Sequence, residues 1–235
     1  MLAIYKRELR SYFVSPIGYI FVAIFLAAAG LVFSYCTLQR GTNSSVSAYF
    51  SLLLVIYIVV LPLLTMKLFS EEKKSRTEQL LLTAPVSLTG MVTAKFLAAY
   101  TVFAGTYLVS CIGFFTLYKY GSPNGAILLG SSFAILLAGG ACIAIGVFIS
   151  SLTENQLIAA LVTMAVIILF VLTSAFNRYI DSYVIRTVLS WFSLMERLTN
   201  FTYGYFDVNA LVYYISLSFV FLFLTVRVYE KRRWA

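Results

Sequence analysis

The sequence predicts an all-α integral membrane protein with six transmembrane helices. Three observations support this fold class: 61% of the 235 residues are hydrophobic, only 11% are charged, and the mean hydropathy is +0.93. An ordinary globular protein carries about 25% charged residues. Because the apolar stretches are spread along the whole length, we expect one membrane domain, residues 1–235, and no appended soluble domain.

Residues 1–16 predict an amphipathic helix that lies in the plane of the membrane interface. Leu2, Tyr5, Leu9 and Tyr12 recur at helical spacing, whereas the cations Lys6, Arg7 and Arg10 point elsewhere. Such cations would bind the anionic headgroups of membrane lipids. A flexible basic tail is the alternative. Pro16 and polar residues separate the basic cluster from a full-length span, so we do not expect a cleavable signal.

The six predicted spans are residues 17–37, 46–68, 88–118, 126–149, 157–176 and 208–228. The first contains no charge and would measure about 31 Å as a helix, enough to cross the hydrocarbon. Pro62 predicts a kink in the second, and the third is long enough to tilt or project inward. Gly140 and Ala144 in the fourth would let another helix approach closely.

Residues 70–87 contain the longest charged and polar interruption of the chain, EEKKSRTEQLLLTAPVS. Ser75 and Glu78 have capping-box spacing, which predicts a short helix from Arg76, and Pro85 limits its length. Three exposed leucines follow, Leu80, Leu81 and Leu82. They would either enter a groove on a soluble partner or dip into the lipid interface, and the residues alone favour neither.

Two further segments separate the later spans. The turn SSLTENQ (150–156) offers a second capping box, Thr153 with Gln156. Residues 177–207 are too polar to span the membrane and too apolar for a solvated loop. We interpret them as one or two short re-entrant helices buried at the outer membrane face, with Gly204 ending the second.

The distribution of basic residues predicts the orientation. If both termini are inside, 12 of the 17 lysines and arginines lie inside and five lie outside: Arg40, Lys119, Arg178, Arg186 and Arg197. The positive-inside rule therefore places residues 70–87 in the cytoplasm. Membrane topology accounts for the net charge of +8, so no nucleic-acid partner is required.

Several function classes are disfavoured by what the sequence lacks. Histidine is absent, and with it the commonest general base and transition-metal ligand. The isolated Cys36, Cys111 and Cys142 are interpreted as packing residues.

The charges Lys67, Lys95, Asp207 and Arg227 fall at span ends, unlike the charges within the membrane that proton-coupled carriers require. There is also no P-loop. We therefore predict no catalytic residue and no metal site, and expect energy for uphill transport to come from another chain.

The chain resembles the membrane subunits of type-2 ABC exporters, and among them the bacterial permeases similar to the gliding-motility-associated export permease. The resemblance covers nearly the whole chain and rests on KRELRSYF, EEKKSRTEQLLLTAPVS, SSLTENQ and LTNFTYGYFD. It implies a permease in the bacterial cytoplasmic membrane that pairs with a second permease subunit and with separate ATPase subunits. ATP and Mg²⁺ would bind to those ATPases and no cofactor to this chain. The resemblance also suggests a dimer contact through the first and fifth spans.

The resemblance also assigns candidate residues. Residues 70–87 would be the coupling segment, and its coupling helix, which contacts the ATPase, would be formed by Thr77, Glu78, Gln79, Leu80, Leu81 and Leu82, with Pro85 ending it. Thr153, Glu154 and Asn155 would form a secondary cytosolic contact. Phe201, Gly204 and Asp207 would form the motif of the outer re-entrant helices. These assignments are what the resemblance implies.

Three other functions remain open from the sequence. A self-contained channel or secondary carrier would transport without nucleotide, and an intramembrane enzyme acting on lipids would show turnover by itself. An ABC-type mechanotransmission subunit would use ATP hydrolysis for signalling without transport. The sequence does not identify the substrate, and it does not distinguish a homodimer from a heterodimer.

Overall fold

The computed structural model describes residues 1–38, 46–79, 87–120, 123–177 and 183–233, and its regular elements are all helical. Within these residues, six helices are long and apolar enough to cross a membrane. They correspond to the six predicted spans, so the predicted fold class is confirmed. We number the helices α1 (Leu2–Val14), α2 (Pro16–Phe33), α3 (Val46–Thr65), α4 (Lys67–Lys74), α5 (Leu88–Ser110), α6 (Phe114–Tyr120), α7 (Gly125–Leu152), α8 (Gln156–Phe176), α9 (Tyr183–Phe192), α10 (Leu194–Thr202) and α11 (Val208–Arg233).

The corner between α1 and α2 follows from a proline and a glycine. Pro16 occupies the first turn of α2, where its missing N–H costs nothing, and Ser15 caps the helix by accepting from the Ile17 amide at 3.4 Å. A Cβ on Gly18 would overlap the Tyr12 carbonyl. The Tyr12 hydroxyl in turn donates to the Leu64 carbonyl at 2.9 Å. The basic N-terminal stretch is therefore a helix fixed to the end of α3; its depth in a membrane stays a prediction.

The second predicted span is divided into two helices. Pro62 lies inside α3, as predicted, and the interruption comes at Met66, whose amide donates to the Pro62 carbonyl at 2.9 Å. The helical path continues as α4, so this candidate span reaches Lys74, beyond the predicted end at residue 68. The charged residues after the apolar run are thus carried by a short helix attached to the span.

Helix α7 occupies the centre of the fold. In its most apolar window 72% of the residues are buried, and it packs against α3, α4, α5, α8, α10 and α11. A neighbouring side chain approaches the predicted Gly140 closely, since a Cβ there would lie 3.3 Å from Tyr100. The approaches at Gly139 and Gly146 are closer still, because a Cβ would overlap Phe103 and Thr65 respectively. Small residues therefore permit the close packing, but mainly at neighbouring positions.

The segment before the last span contains two short helices, α9 and α10, as the polar and apolar mixture predicted. Gly204 follows α10 with φ +85°, a conformation that glycine adopts without a steric cost. The re-entrant placement of these helices stays a prediction. Residues 178–182 of this segment lie outside the described residues.

Three of the spans bury little of their surface within one chain. The buried share of the most apolar window is 22% in α2, 28% in α8 and 17% in α11. Their exposed apolar side chains suit contact with lipid or with another subunit. The prediction that the first and fifth spans, α2 and α8, form the dimer contact is not tested by a single chain.

Candidate functional site at the charged end of the helix bundle

The described part of the predicted coupling segment, residues 70–79 and 87, lies at one end of the bundle. We call this the charged end; it comprises α1, α4, the start of α5, the end of α7 and the end of α11. Basic residues occur in three clusters on the predicted inner side: near the N-terminus, around residues 70–87 and near the C-terminus. Ion pairs connect these clusters at the charged end, because Arg7 and Lys95 both contact Glu72 and Arg232 contacts Glu78. The clusters that the positive-inside argument assigned to one side therefore meet at one end.

Four charges from three helices form a cluster at this end. The Arg7 Nη2 atom lies 2.7 Å from Glu8 Oε1 and 2.9 Å from Glu72 Oε1. Lys95 Nζ lies 3.3 Å from the same Glu8 oxygen and 2.9 Å from the same Glu72 oxygen. Each carboxylate thus bridges both cations. This charge cluster ties α1 to α4 and both to α5, and the Glu8 carboxylate raises the pKa of Arg7.

Lys95 is the buried member of the charge cluster. Its side chain is only 1% exposed, whereas that of Arg7 is 54% exposed. Its ammonium also donates to the Leu68 carbonyl at 2.7 Å and lies 4.8 Å from the centre of the Phe69 ring. A buried ammonium is tolerated when its donors are satisfied and counter-charges are adjacent, and both conditions hold here. The sequence placed Lys95 at a span end but did not reveal its burial.

A hydroxyl group of the central helix holds the start of α4. Ser150, fully buried near the end of α7, accepts from the amides of Phe69 and Ser70 at 3.1 and 3.2 Å. It donates to the Met66 carbonyl at 3.1 Å. These backbone groups lie at the start of α4, where N–H groups lack partners within the helix and Met66 provides no side-chain cap. A serine from another helix therefore supplies the cap.

We expect Ser150→Ala to destabilise the protein by about 1–3 kcal/mol, because buried amides of α4 lose their acceptor. Ser151→Ala is the matched control: Ser151 is also fully buried, but its hydroxyl donates to Phe148 of its own helix. Thermal unfolding in detergent should show a lower midpoint for Ser150→Ala than for Ser151→Ala. Equal midpoints would contradict a capping role for Ser150.

The described part of the coupling segment starts differently from the prediction. Ser75 ends α4, and its hydroxyl donates to the Glu71 carbonyl at 2.8 Å. Arg76 has φ +57°, so it cannot be the first residue of a helix. The predicted capping box of Ser75 and Glu78 was therefore wrong, because α4 extends further than the sequence suggested. Helical geometry resumes at Glu78 and Gln79.

Two contacts attach this segment to the ends of α7 and α11. Arg232 Nη1 lies 3.0 Å from Glu78 Oε1, and its Nη2 donates to the Ser151 carbonyl at 2.9 Å. Lys73 Nζ donates to the Leu152 carbonyl at 3.2 Å. Thr77 is exposed, and its hydroxyl lies 2.9 Å from that of Ser75. The remaining predicted coupling residues, Leu80, Leu81, Leu82 and Pro85, lie outside the described residues.

The predicted secondary contact lies beside α4, at the turn between α7 and α8. Thr153 does not cap α8 as predicted; its hydroxyl donates to the Ile149 carbonyl at 3.4 Å within the preceding helix. Asn155 provides the cap by accepting from the Leu157 amide at 2.9 Å. Glu154 and Asn155 are exposed. The turn is adjacent to the coupling segment through Lys73, and its two exposed polar residues face away from the fold.

The cations predicted to face lipid divide into two groups. Arg7 belongs to the charge cluster, whereas Lys6 and Arg10 are exposed. Lys67, which was predicted at a span end, is held by Ser15 Oγ and Glu71 Oε2, each at 3.3 Å. A cavity of about 300 Å³, lined mostly by charged and hydroxyl-bearing residues, lies between α1 and α4 beside these groups.

The predicted outer motif is assembled at the opposite end, apart from the coupling segment. The buried Phe201 offers its carbonyl to Ser131 Oγ of α7 at 3.3 Å. Asp207 starts α11 by accepting from the Asn209 amide at 2.8 Å, and it accepts from Asn200 Nδ2 at 2.6 Å. These hydrogen bonds stabilise the carboxylate and lower the pKa of Asp207. Gly204 forms the turn between the other two motif residues.

Comparison with known proteins gives one family. A family model described as an ABC-2 family transporter protein matches residues 33–229. This range contains α3 to α10, most of α11 and the whole coupling segment. No curated protein matches the chain.

Proposed function

The chain belongs to the ABC-2 family of transporter proteins, and from this premise we propose that it is the permease subunit of an ATP-driven exporter. It is a membrane permease component of the kind that lacks the ATPase domain, and such permeases generally pair with ATPase subunits. In the proposed complex two permease subunits, alike or different, bind two ATPases that hold ATP and Mg²⁺.

One observation carries the proposal: α4 and the described start of the predicted coupling helix are together attached to four other helices. Glu72 joins α4 to α1 and α5, Ser150 joins α4 to α7, and Arg232 joins Glu78 to α11. A surface loop normally has few such attachments. A displacement of residues 70–87 by a partner would therefore be passed directly to several membrane helices.

The attachments differ in how firmly they resist movement. The Ser150 cap and the Lys95 side chain are buried, so they hold the start of α4 as a fixed point. The Arg232 and Glu78 side chains are 29% and 15% exposed, and their pair is more open to water and to a partner. ATPase closure would then move the Glu78 end of the segment about the Ser150 end, and α11 with it.

The proposed location is a bacterial cytoplasmic membrane, with both termini and residues 70–87 in the cytoplasm. The positive-inside rule and the meeting of the basic clusters at one end support this orientation. Residues 177–207 would then lie at the outer face. The motifs KRELRSYF and LTNFTYGYFD support a place near the gliding-motility-associated export permeases.

The proposal is tested by expressing the tagged chain with a soluble ABC ATPase encoded beside it. We expect the two proteins to co-purify and the complex to hydrolyse ATP in proteoliposomes. The control is the chain alone, which should neither hydrolyse ATP nor concentrate a solute. Uphill accumulation by the chain alone would contradict the proposal and favour a secondary carrier.

A further inference from the structure

An open groove runs along the membrane-spanning surface between α1, α2 and α5, on the side of α1 away from the charge cluster. Its volume is about 400 Å³, and its walls include Leu9 and Phe13 from α1, Val22 and Leu26 from α2, and Gly105 and Val109 from α5. These walls are apolar apart from hydroxyl groups. The Tyr5 hydroxyl crosses one end and donates to Thr101 Oγ1 at 3.3 Å.

The shape of the groove suits one extended hydrocarbon chain. Its α5 wall runs from Thr101 to Val109, a rise of about 12 Å at helical geometry, directed along the membrane-spanning axis. Gly105 lies at the middle of this wall, and a Cβ there would meet no atom within 4 Å. The glycine therefore keeps a free channel open and does not serve the packing of two helices.

Two exposed cations of α1, Lys6 and Arg10, follow directly in sequence the groove-wall residues Tyr5 and Leu9. Lys6 and Arg10 are one helical turn apart, and Arg10 is adjacent to Leu9 in the groove wall. The ion pairs of the described residues involve Arg7, Lys67, Lys95, Arg227 and Arg232, and neither Lys6 nor Arg10 is among them. These two positive charges beside an apolar channel lack a counter-charge from the described chain.

We propose that this groove binds an anionic phospholipid, with one acyl chain between α1, α2 and α5 and the headgroup phosphate on Lys6 and Arg10. The charge complementarity selects a lipid over a second copy of the chain, because a symmetric contact through this face would bring the cations close to their own equivalents. The bound lipid joins α1 to the spans on the face opposite the charge cluster. The proposal does not rest on the transport function.

The test counts lipids bound to the purified full-length chain by native mass spectrometry in detergent. Phosphatidylglycerol and phosphatidylcholine with identical acyl chains are the two probes. Each cation at a membrane surface contributes about a fivefold preference for an anionic lipid. We therefore expect phosphatidylglycerol to be retained with about tenfold to twenty-fivefold preference over phosphatidylcholine.

Two variants separate the headgroup contact from the acyl groove, each with a matched control. Lys6→Gln with Arg10→Gln should abolish the preference, whereas the equally exposed pair Lys74→Gln with Arg76→Gln should preserve it. Gly105→Leu should fill the groove and reduce retention of both lipids. Gly30→Leu is its control, because Gly30 is also helical and exposed, with no atom within 4 Å of a Cβ.

Equal retention of the two lipids by the unmodified chain would overturn the proposal. Equal loss of lipid in both glycine variants would overturn it too, because the effect would then be general. An altered oligomeric state of Gly105→Leu with unchanged lipid binding would assign the groove to a second copy of the chain.

Discussion

Replacing Lys95 by methionine is expected to destabilise the protein by about 3–5 kcal/mol. The substitution leaves Glu8 and Glu72 close together with only the half-exposed Arg7 between them, and it removes the donor to the Leu68 carbonyl. The two neighbouring carboxylates then repel each other. The free-energy cost of removing them from water is also no longer offset by their ion pairs with Lys95. Thermal unfolding in detergent should show a large fall in the midpoint.

Lys67→Met is the matched control for this prediction. Lys67 also pairs with a glutamate one turn away, but its side chain is 20% exposed and that of Glu71 is 48% exposed. Such a pair contributes about 0.3–0.5 kcal/mol. A similar fall in both variants would show that the buried position of Lys95 has no special energetic role.

A triple variant, Glu8→Leu, Glu72→Leu and Lys95→Met, separates stability from coupling. The variant removes the three more buried members of the charge cluster and keeps only Arg7, whose side chain is 54% exposed. Replacing buried ionic partners together by apolar residues is often neutral or stabilising, whereas removing one member is costly. We expect this variant to fold and to bind the ATPase. If the charge cluster carries movement from α4 to α1 and α5, ATP hydrolysis should continue in this variant while transport is reduced. Transport equal to that of the unmodified chain would make the charge cluster purely structural.

The membrane-spanning framework could be predicted from the sequence because each span is a local property. A helix of sufficient length and hydropathy satisfies its own backbone hydrogen bonds in lipid, whatever its neighbours are. The six apolar runs were therefore sufficient evidence, and Gly204 and Pro16 marked helix ends by their backbone requirements alone.

The charged end could not be predicted in this way, because its contacts join distant parts of the chain. Lys95 and Glu8 are 87 residues apart, and Ser150 caps a helix 81 residues earlier. Local patterns also misplaced one helix boundary. Ser75 matches the start of a capping box, but in the structure it follows the last residue of α4 and caps the C-terminal end of that helix. One signal was available. With only nine acidic residues in the chain, the lone Glu8 among basic residues could have indicated a charged contact for this helix.

Replacing Leu80 and Leu81 by aspartate is expected to abolish association with the ATPase while leaving membrane insertion intact. If the coupling helix docks through these leucines, each buried apolar anchor contributes about 2 kcal/mol or more to binding, so the double variant should lose at least about a thousandfold in affinity. A charged side chain in the groove of the partner adds an unpaired, desolvated carboxylate. Co-purification of the complex, with each leucine also changed singly, measures the loss.

Leu157→Asp is the control for the single variants. Leu157 is 70% exposed at the same end of the bundle, and an aspartate in the first turn of α8 is compatible with the helix dipole. Retained association in this control and loss in the Leu80 and Leu81 variants would locate the contact in residues 70–87. The opposite result would move the ATPase contact to the turn that contains Thr153, Glu154 and Asn155. Retained association in all variants would contradict a docking role for either segment, because an aspartate buried in an apolar docking contact weakens binding.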